Sequence, residues 1–327
     1  MRVLVCGGGG YIGSNMTAML KTAGHEPVVF DNLSKGHKSA IRDTEFVKGD
    51  LADSRLLIET LEKYDIEAVM HFAAFIEVGE SVQAPLKYYH NNLCCTENLL
   101  SAMETAGVEK FVFSSTAAVY GVPKNIPITE DSPTEPINPY GQTKLAVERM
   151  CHYQSQAGKL AFASLRYFNA CGAGNNGSLG EDHRPESHLI PLTIQAAMGK
   201  RSDIRIYGTD YDIPDGTCIR DYIHIDDLCR AHLLALEKLQ TERELIYNLG
   251  NGKGYSVREV IKTVRKVTGK NFKVVEAERR SGDPPILTSD ATRAFEELGW
   301  KTEKSSLEQM VSTAWKWHSE HPNGYPD

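Results

Sequence analysis

The stretch "RVLVCGGGGYIGS", residues 2–14, constrains the chain more than any other. A short β-rich run feeds into four consecutive glycines, and a helical pattern begins at Tyr11. Gly7, Gly10 and Gly13 stand three apart, so the chain turns tightly and its backbone can approach a pyrophosphate closely. The helix N-terminus then offers free N–H groups and the positive end of a dipole. The same glycines also suit a plain strand-to-helix turn, so the residues that follow must decide. "VVFD" ends a second strand with Asp31, at roughly the spacing expected for a carboxylate that grips an adenosine ribose. That carboxylate would repel a 2′-phosphate, which favours NAD over NADP, although Lys35 and Lys38 lie close behind. Read alone, Asp31 also opens a turn before Asn32. Asp50 ends a third strand similarly and could reach the adenine.

The rest of the first half repeats this alternation. Runs at 2–5, 27–30, 45–48, 68–72, 110–113 and 162–168 read as strands. Helical patterns at 11–23, 53–63, 91–106 and 140–157 separate them. This order predicts an α/β fold: a doubly wound, Rossmann-type parallel sheet. After Asn169 a Gly/Asn-rich irregular stretch leads to shorter elements: helices at 189–199 and 226–239, strands at 204–207 and 245–249. Ser256 and Glu259 form a capping box for a further helix that Gly269 ends. We therefore expect residues 1–168 to bind the dinucleotide and 169–327 to form a smaller mixed α/β substrate lobe, with some C-terminal segments returning to the first.

A net charge of −7 argues against nucleic acid as a partner. No stretch approaches the roughly 20 apolar residues of a membrane span, and the N-terminus lacks a signal-peptide core. Seven cysteines without a C-x-x-C pair predict reduced thiols in a cytoplasmic protein. His183 and His188 are five apart with no partner cluster apparent, so no metal is expected.

"NPYGQTKLAVERM", residues 138–150, places Tyr140 and Lys144 four apart on one helix face. A phenol with its ordinary pKa of about 10 is a poor base at neutral pH. A neighbouring cation, with an oxidised nicotinamide ring beside it, would favour the phenolate. "FVFSSTAAVYG" supplies Ser114, Ser115 and Thr116 at the carboxyl end of a strand, where doubly wound sheets bind ligands. Such a hydroxyl can hold the group from which Tyr140 takes a proton.

Together these motifs resemble the extended short-chain dehydrogenase/reductase family. "HFAAFIEVGESVQAPLKYYHNN", "PYGQTK", "RYFNACGA", "HLIPL", "DGTCIRDYIHIDDL" and "RRSGDPP" are similar to its nucleotide-sugar 4-epimerases over nearly the whole chain. The resemblance implies catalysis by Tyr140, Lys144 and Thr116. It implies NAD contacts at Gly7, Gly10, Tyr11, Ile12, Gly13, Asp31, Asn32, Asp50, Leu51, Phe72, Ala73, Ala74, Asn91, Tyr140, Lys144 and Phe168. It implies UDP-sugar contacts at Thr116, Asn169, His188, Leu189, Tyr207, Arg220, Arg280, Asp283 and Leu287. Two arginines suit a diphosphate, though Arg220 alone could pair with Asp221.

The implied reaction interconverts UDP-glucose and UDP-galactose at C4 through a 4-keto sugar and a tightly bound NAD, in a homodimer. Leu287 stands where the family often has tyrosine or cysteine, which leaves room for UDP-N-acetylhexosamines. Ile76 replaces a lysine of some members. A 4,6-dehydratase is disfavoured because Ala117 and Ala118 follow Thr116 where it needs an acid and a base. A UDP-glucuronate decarboxylase or 4-epimerase stays a close rival. A non-catalytic NAD sensor has no need of all three catalytic residues.

Overall fold

A computed structural model describes residues 1–280 and 284–326 of the chain. Asp283 lies outside the described residues. The strands in chain order are β1 (Arg2–Cys6), β2 (Glu26–Asp31), β3 (Glu45–Lys48), β4 (Ala68–His71), β5 (Lys110–Ser114), β6 (Ala161–Tyr167), β7 (Asn169–Cys171), β8 (Ile204–Tyr207), β9 (Ile219–Arg220), β10 (Tyr222–His224), β11 (Glu244–Leu249), β12 (Tyr255–Ser256), β13 (Val274–Ala277) and β14 (Ile286–Leu287). The helices are α1 (Tyr11–Thr22), α2 (Lys38–Ile41), α3 (Ser54–Lys63), α4 (Val78–Gln83), α5 (Pro85–Tyr88), α6 (Cys95–Ala106), α7 (Pro139–Gln156), α8 (Leu189–Ala197), α9 (Ile225–Lys238), α10 (Val257–Thr268), α11 (Thr292–Leu298) and α12 (Leu307–Glu320).

Seven strands form one sheet in the order β11-β6-β5-β4-β1-β2-β3. Every pairing in it is parallel. The strands read as near-continuous apolar runs because helices cover both faces. Alternate residues of β1 show this directly. Val3 and Val5 join one core cluster with Met16 and Leu20 of α1 and Leu228 and Leu236 of α9. Leu4 and Cys6 join the other with Leu57 of α3, Leu99 of α6 and Val147 of α7. The strand order reverses beside β1, so the crevice at the carboxyl ends of β1 and β4 is where this topology opens a binding site.

β11 completes the large sheet from late in the chain, beside β6, and α9 packs on α1. The smaller lobe carries β8 with β13, the set β12-β9-β14, and the helices α8, α10 and α12 around a separate apolar cluster. The capping box of α10 forms as read: Ser256 Oγ accepts from Glu259 N–H, Glu259 accepts from Ser256 N–H, and Gly269 closes the helix at φ +66°. The helix expected from residue 91 instead begins at Cys95, after one π-helical turn over Tyr89–Cys94. The Asn92 side chain explains the difference. It accepts from Phe75 N–H and donates to Phe75 C=O, each at 2.9 Å, which ties this turn to the loop after β4.

Candidate active site

The carboxyl ends of the large sheet open into one continuous cavity of about 1170 Å³. The glycine turn forms its floor at one end. Gly7 has φ +83°, and a Cβ there would sit 2.6 Å from Ala73 N. A Cβ on Gly13 would collide with the Gly7 carbonyl oxygen. Gly10 caps α1 without a side chain, and the first turn of α1 holds no acidic residue. The N–H groups at this helix start are thus left for an anionic ligand, which fits the pyrophosphate of a dinucleotide.

Asp31 is buried at the end of β2, on the cavity wall. Its Oδ2 accepts from Gly9 N–H at 2.9 Å and its Oδ1 from Leu33 N–H at 2.7 Å. Asp31 thus shapes these turns and also lines the cavity. Burial raises its pKa above the usual carboxylate value, against these backbone hydrogen bonds. Tyr11, Ile12, Asn32, Leu51, Phe72, Ala73, Ala74, Asn91 and Phe168 also line the cavity, as does Ile76. Asp50 is not among the lining residues. Its carboxylate accepts from Ala52 N–H and Asn32 Nδ2, which lowers its pKa.

Tyr140, Lys144 and Thr116 line the same cavity. Asn138 caps α7 by accepting from Gly141 N–H at 2.9 Å, and Pro139 occupies the first turn. That start aims Tyr140 and Lys144 at the end of β5. Lys144 Nζ donates to the Ser114 carbonyl at 2.8 Å and lies 4.7 Å from the centre of the Phe113 ring. The Thr116 hydroxyl favours the charged form of Tyr140.

In the ligand-free pocket burial dominates the electrostatics of this pair. Burial pushes Tyr140 up to about 12, and the Thr116 hydroxyl offsets only part of this. Burial also brings Lys144 down to about 7, against the attraction of Glu148. Desolvation disfavours the charged form of both groups, so the ligand-free pocket holds neutral tyrosine and a lysine poised near neutrality.

Three polar residues here escaped the sequence reading. Tyr167 bonds Ser114 Oγ and lines the cavity. Glu148, one turn beyond Lys144, is buried and paired with Arg166 at 2.6 Å. It also accepts from Ser115 Oγ. Arg166 in turn donates to the Tyr120 hydroxyl at 2.8 Å.

The cavity is further lined by Asn169, His188, Leu189, Tyr207, Arg220, Arg280 and Leu287. The Arg280 guanidinium lies 4.1 Å from the centre of the Tyr207 ring. Arg220 Nη1 donates to the Ile219 carbonyl. The Asp221 carboxylate accepts from Asn251, Gly252 and Ser289 N–H groups, so it serves the loops around β11 and β14. β14 sets Leu287 beside Arg220 in register.

The expectation that His183 and His188 lack partners is corrected here. Glu181 and Glu186, from the same loop, bring their carboxylates to both rings. The spacing Glu-x-His-x-x-Glu-x-His was visible in "GEDHRPESHL". The histidine spacing alone does not reveal it, because half of the cluster is carboxylate.

A family model, the NAD dependent epimerase/dehydratase family, matches residues 3–250. The UDP-glucose 4-epimerase of Halalkalibacterium halodurans is 51% identical over 326 residues, 99% of this chain and 98% of that protein. The structure of UDP-glucose 4-epimerase from Brucella ovis in complex with NAD is similar with a TM-score of 0.94 at 49% identity, covering 96% of this chain and 97% of that one. The UDP-Glc/GlcNAc 4-epimerase of Campylobacter jejuni is similar with a TM-score of 0.86 at 44% identity, covering 98% and 99% of the two chains.

Proposed function

The chain belongs to the NAD dependent epimerase/dehydratase family, and from that premise we infer that it inverts C4 of UDP-hexoses, interconverting UDP-glucose and UDP-galactose. The observation that carries this reading is continuity. One cavity joins a dinucleotide cradle, a buried Tyr140–Lys144–Thr116 set and a wall bearing Arg220 and Arg280.

NAD, held by the glycine turn, Asp31 and the loop at Phe72–Ala74, supplies when bound a reversible hydride exchange with C4. Tyr140 takes the proton of O4 and returns it, and the Thr116 hydroxyl orients that oxygen. The positive charge that an oxidised nicotinamide would bring beside Tyr140 would favour its phenolate against the burial that raises its pKa to about 12. The same charge pushes the Lys144 ammonium towards losing its proton. Arg220, Arg280 and Asn169 hold UDP away from the reacting carbon, so the hexose is free to present either face while the nucleotide stays anchored. Ala117 and Ala118 carry no acid or base for dehydration.

Leu287 on the cavity wall leaves room for a 2-acetamido group, so UDP-N-acetylhexosamines enter as further substrates. Residues 1–168 act as the NAD-binding unit and 169–327 as the UDP-sugar lobe, with β11 returned to the large sheet. No disulfide joins any of the seven cysteines among the described residues, and a cytoplasmic setting is part of this reading. A homodimer is supported by exposed apolar side chains on neighbouring elements: Leu86 on α5, Tyr89 beside it and Tyr153 on α7.

The test needs only purified protein and UDP-galactose, with no NAD added. UDP-glucose should accumulate to equilibrium. A protein that stays inert until a stoichiometric oxidant is supplied would be a dehydrogenase rather than an epimerase.

A further inference from the structure

Four side chains outside the catalytic set converge on one point between two cavities. Glu181, His183, Glu186 and His188 each direct one ligand atom into a cluster whose members all lie within 4.8 Å of one another. Glu181, His183 and His188 border the large cavity, and Glu186 borders a second of about 200 Å³. Both carboxylates are deeply buried, with 4% of each side chain exposed.

The contact geometry is unusual for plain ion pairs. His188 Nδ1 lies 2.7 Å from Glu181 Oε1 and 3.3 Å from Glu186 Oε1. His183 Nδ1 lies 3.1 Å from Glu181 Oε1 and 3.8 Å from Glu186 Oε2. Yet both Nδ1 atoms, shielded from solvent, make no hydrogen bond of acceptable angle. They are near the carboxylate oxygens without pointing along a donor–acceptor line. A tetrahedral ion with ligand bonds of about 2.0–2.1 Å sets its ligands about 3.3–3.4 Å apart, in the middle of the four separations above.

We propose that Glu181, His183, Glu186 and His188 bind one divalent transition-metal ion of the zinc class. Two imidazole and two carboxylate donors suit zinc and disfavour magnesium and calcium, which take oxygen ligands. The loop backbone supplies outer partners to one of the carboxylates. Glu186 Oε1 accepts from the N–H groups of Ser187 and His188, at 2.7 and 2.8 Å, which fixes that carboxylate. The Tyr11 ring meets His183 edge-on at 6.4 Å between centroids.

His188 is the N-cap residue just before α8, and the ligand set spans the loop that leads into that helix. The ion therefore pins the segment that delivers Leu189 to the substrate wall, beside the tyrosine that opens α1. Its role is to position this wall, and it takes no part in the proton chemistry at Tyr140.

The test uses untagged full-length protein, stripped with a chelator and dialysed. Calorimetric titration with zinc chloride should show one equivalent bound per chain, and zinc should raise the unfolding temperature. His183→Gln/His188→Gln removes two ligands. Since loss of outer partners alone commonly costs 10–100-fold in affinity, the double variant should bind more than about 100-fold more weakly. Cys94→Ser, which removes the exposed thiol, should bind as the wild type does. Circular dichroism shows whether the double variant folds. If it does not, anomalous scattering from zinc-soaked wild-type crystals decides: a peak bonded to the four side chains supports the site, and its absence overturns it. Absence of stoichiometric binding, or equal affinity in the folded double variant, also overturns the proposal and leaves a buried ion quartet.

Discussion

Glu148→Ala tests how the catalytic helix is held in place. Glu148 and Arg166 are almost wholly buried, with 4% and 6% of their side chains exposed. Arg166 Nε donates to Oε1 and Oε2 at 3.0 and 3.2 Å, and Nη2 donates to Oε2 at 2.6 Å. Removing the carboxylate takes all three bonds from a guanidinium that cannot shed its charge, and takes the acceptor from Ser115 Oγ. What remains to Arg166 is the Tyr120 hydroxyl and a long contact to the Glu130 carbonyl at 3.5 Å. Breaking a buried pair from one side costs about 3–5 kcal/mol. At about 2–4 °C per kcal/mol for chains approaching this size, the unfolding temperature should fall by about 10 °C.

Glu148→Gln keeps the volume and one acceptor, so its loss should be nearer the 1.5–3 kcal/mol typical of a charged hydrogen bond, about half as much. Glu148→Leu/Arg166→Met removes both charges and should recover part of the loss. The assay is thermal unfolding by circular dichroism under reducing conditions. Catalysis should fall through kcat, because Ser115 adjoins Thr116. A shift below about 2 °C in Glu148→Ala, or a double variant no better than the single one, would refute the reasoning.

Tyr140→Phe should lower kcat by about 10²–10⁴-fold while UDP binding measured by calorimetry is unchanged; a variant within a few-fold of wild type removes Tyr140 from the chemistry. Burial holds Lys144 at about 7 in the ligand-free protein, well below the ordinary lysine value of about 10.4. Between these values the unfolded chain binds the additional proton, so nucleotide-free protein should gain stability as pH rises from about 7 to about 10. Lys144→Met should lose that slope in denaturant titrations at pH 7, 8 and 9, and a parallel pair of curves would contradict the assignment. Leu287→Tyr should depress kcat/KM for UDP-N-acetylglucosamine relative to UDP-glucose; an unchanged ratio means that Leu287 does not face the 2-position.

The glycine turn, the alternation that yields the parallel sheet and the Tyr140–Lys144 spacing were legible because each is local. Residues a few positions apart on one strand or helix carry the whole signal. Glu148 was illegible for the opposite reason. In "AVERM" it looks like one half of a solvated Glu–Arg pair, and only the packing of α7 on β6 reveals Arg166 as its partner, 18 residues along the chain. The spacing of Tyr140 and Lys144 shows a neighbouring cation but not desolvation, which raises the Tyr140 pKa in the ligand-free pocket. β14, whose Leu287 lines the cavity, is two residues long and exists through its pairing with β9. No periodicity announces such a strand. The helices α11 and α12 close the smaller lobe and β11 side and drew no reading, although Ser306 caps α12 by accepting from Gln309 N–H.

The central claim is that one carbon gives up and regains its own hydride inside this cavity while Tyr140 moves the proton. UDP-galactose carrying deuterium at C4 tests it most directly, with the protein incubated in ordinary water and the UDP-glucose formed analysed by NMR and mass spectrometry. The account predicts that the product keeps deuterium at C4, with the configuration inverted and no label lost over a single turnover. Deuterium exchanged into solvent, or product formed without inversion at C4, would contradict it.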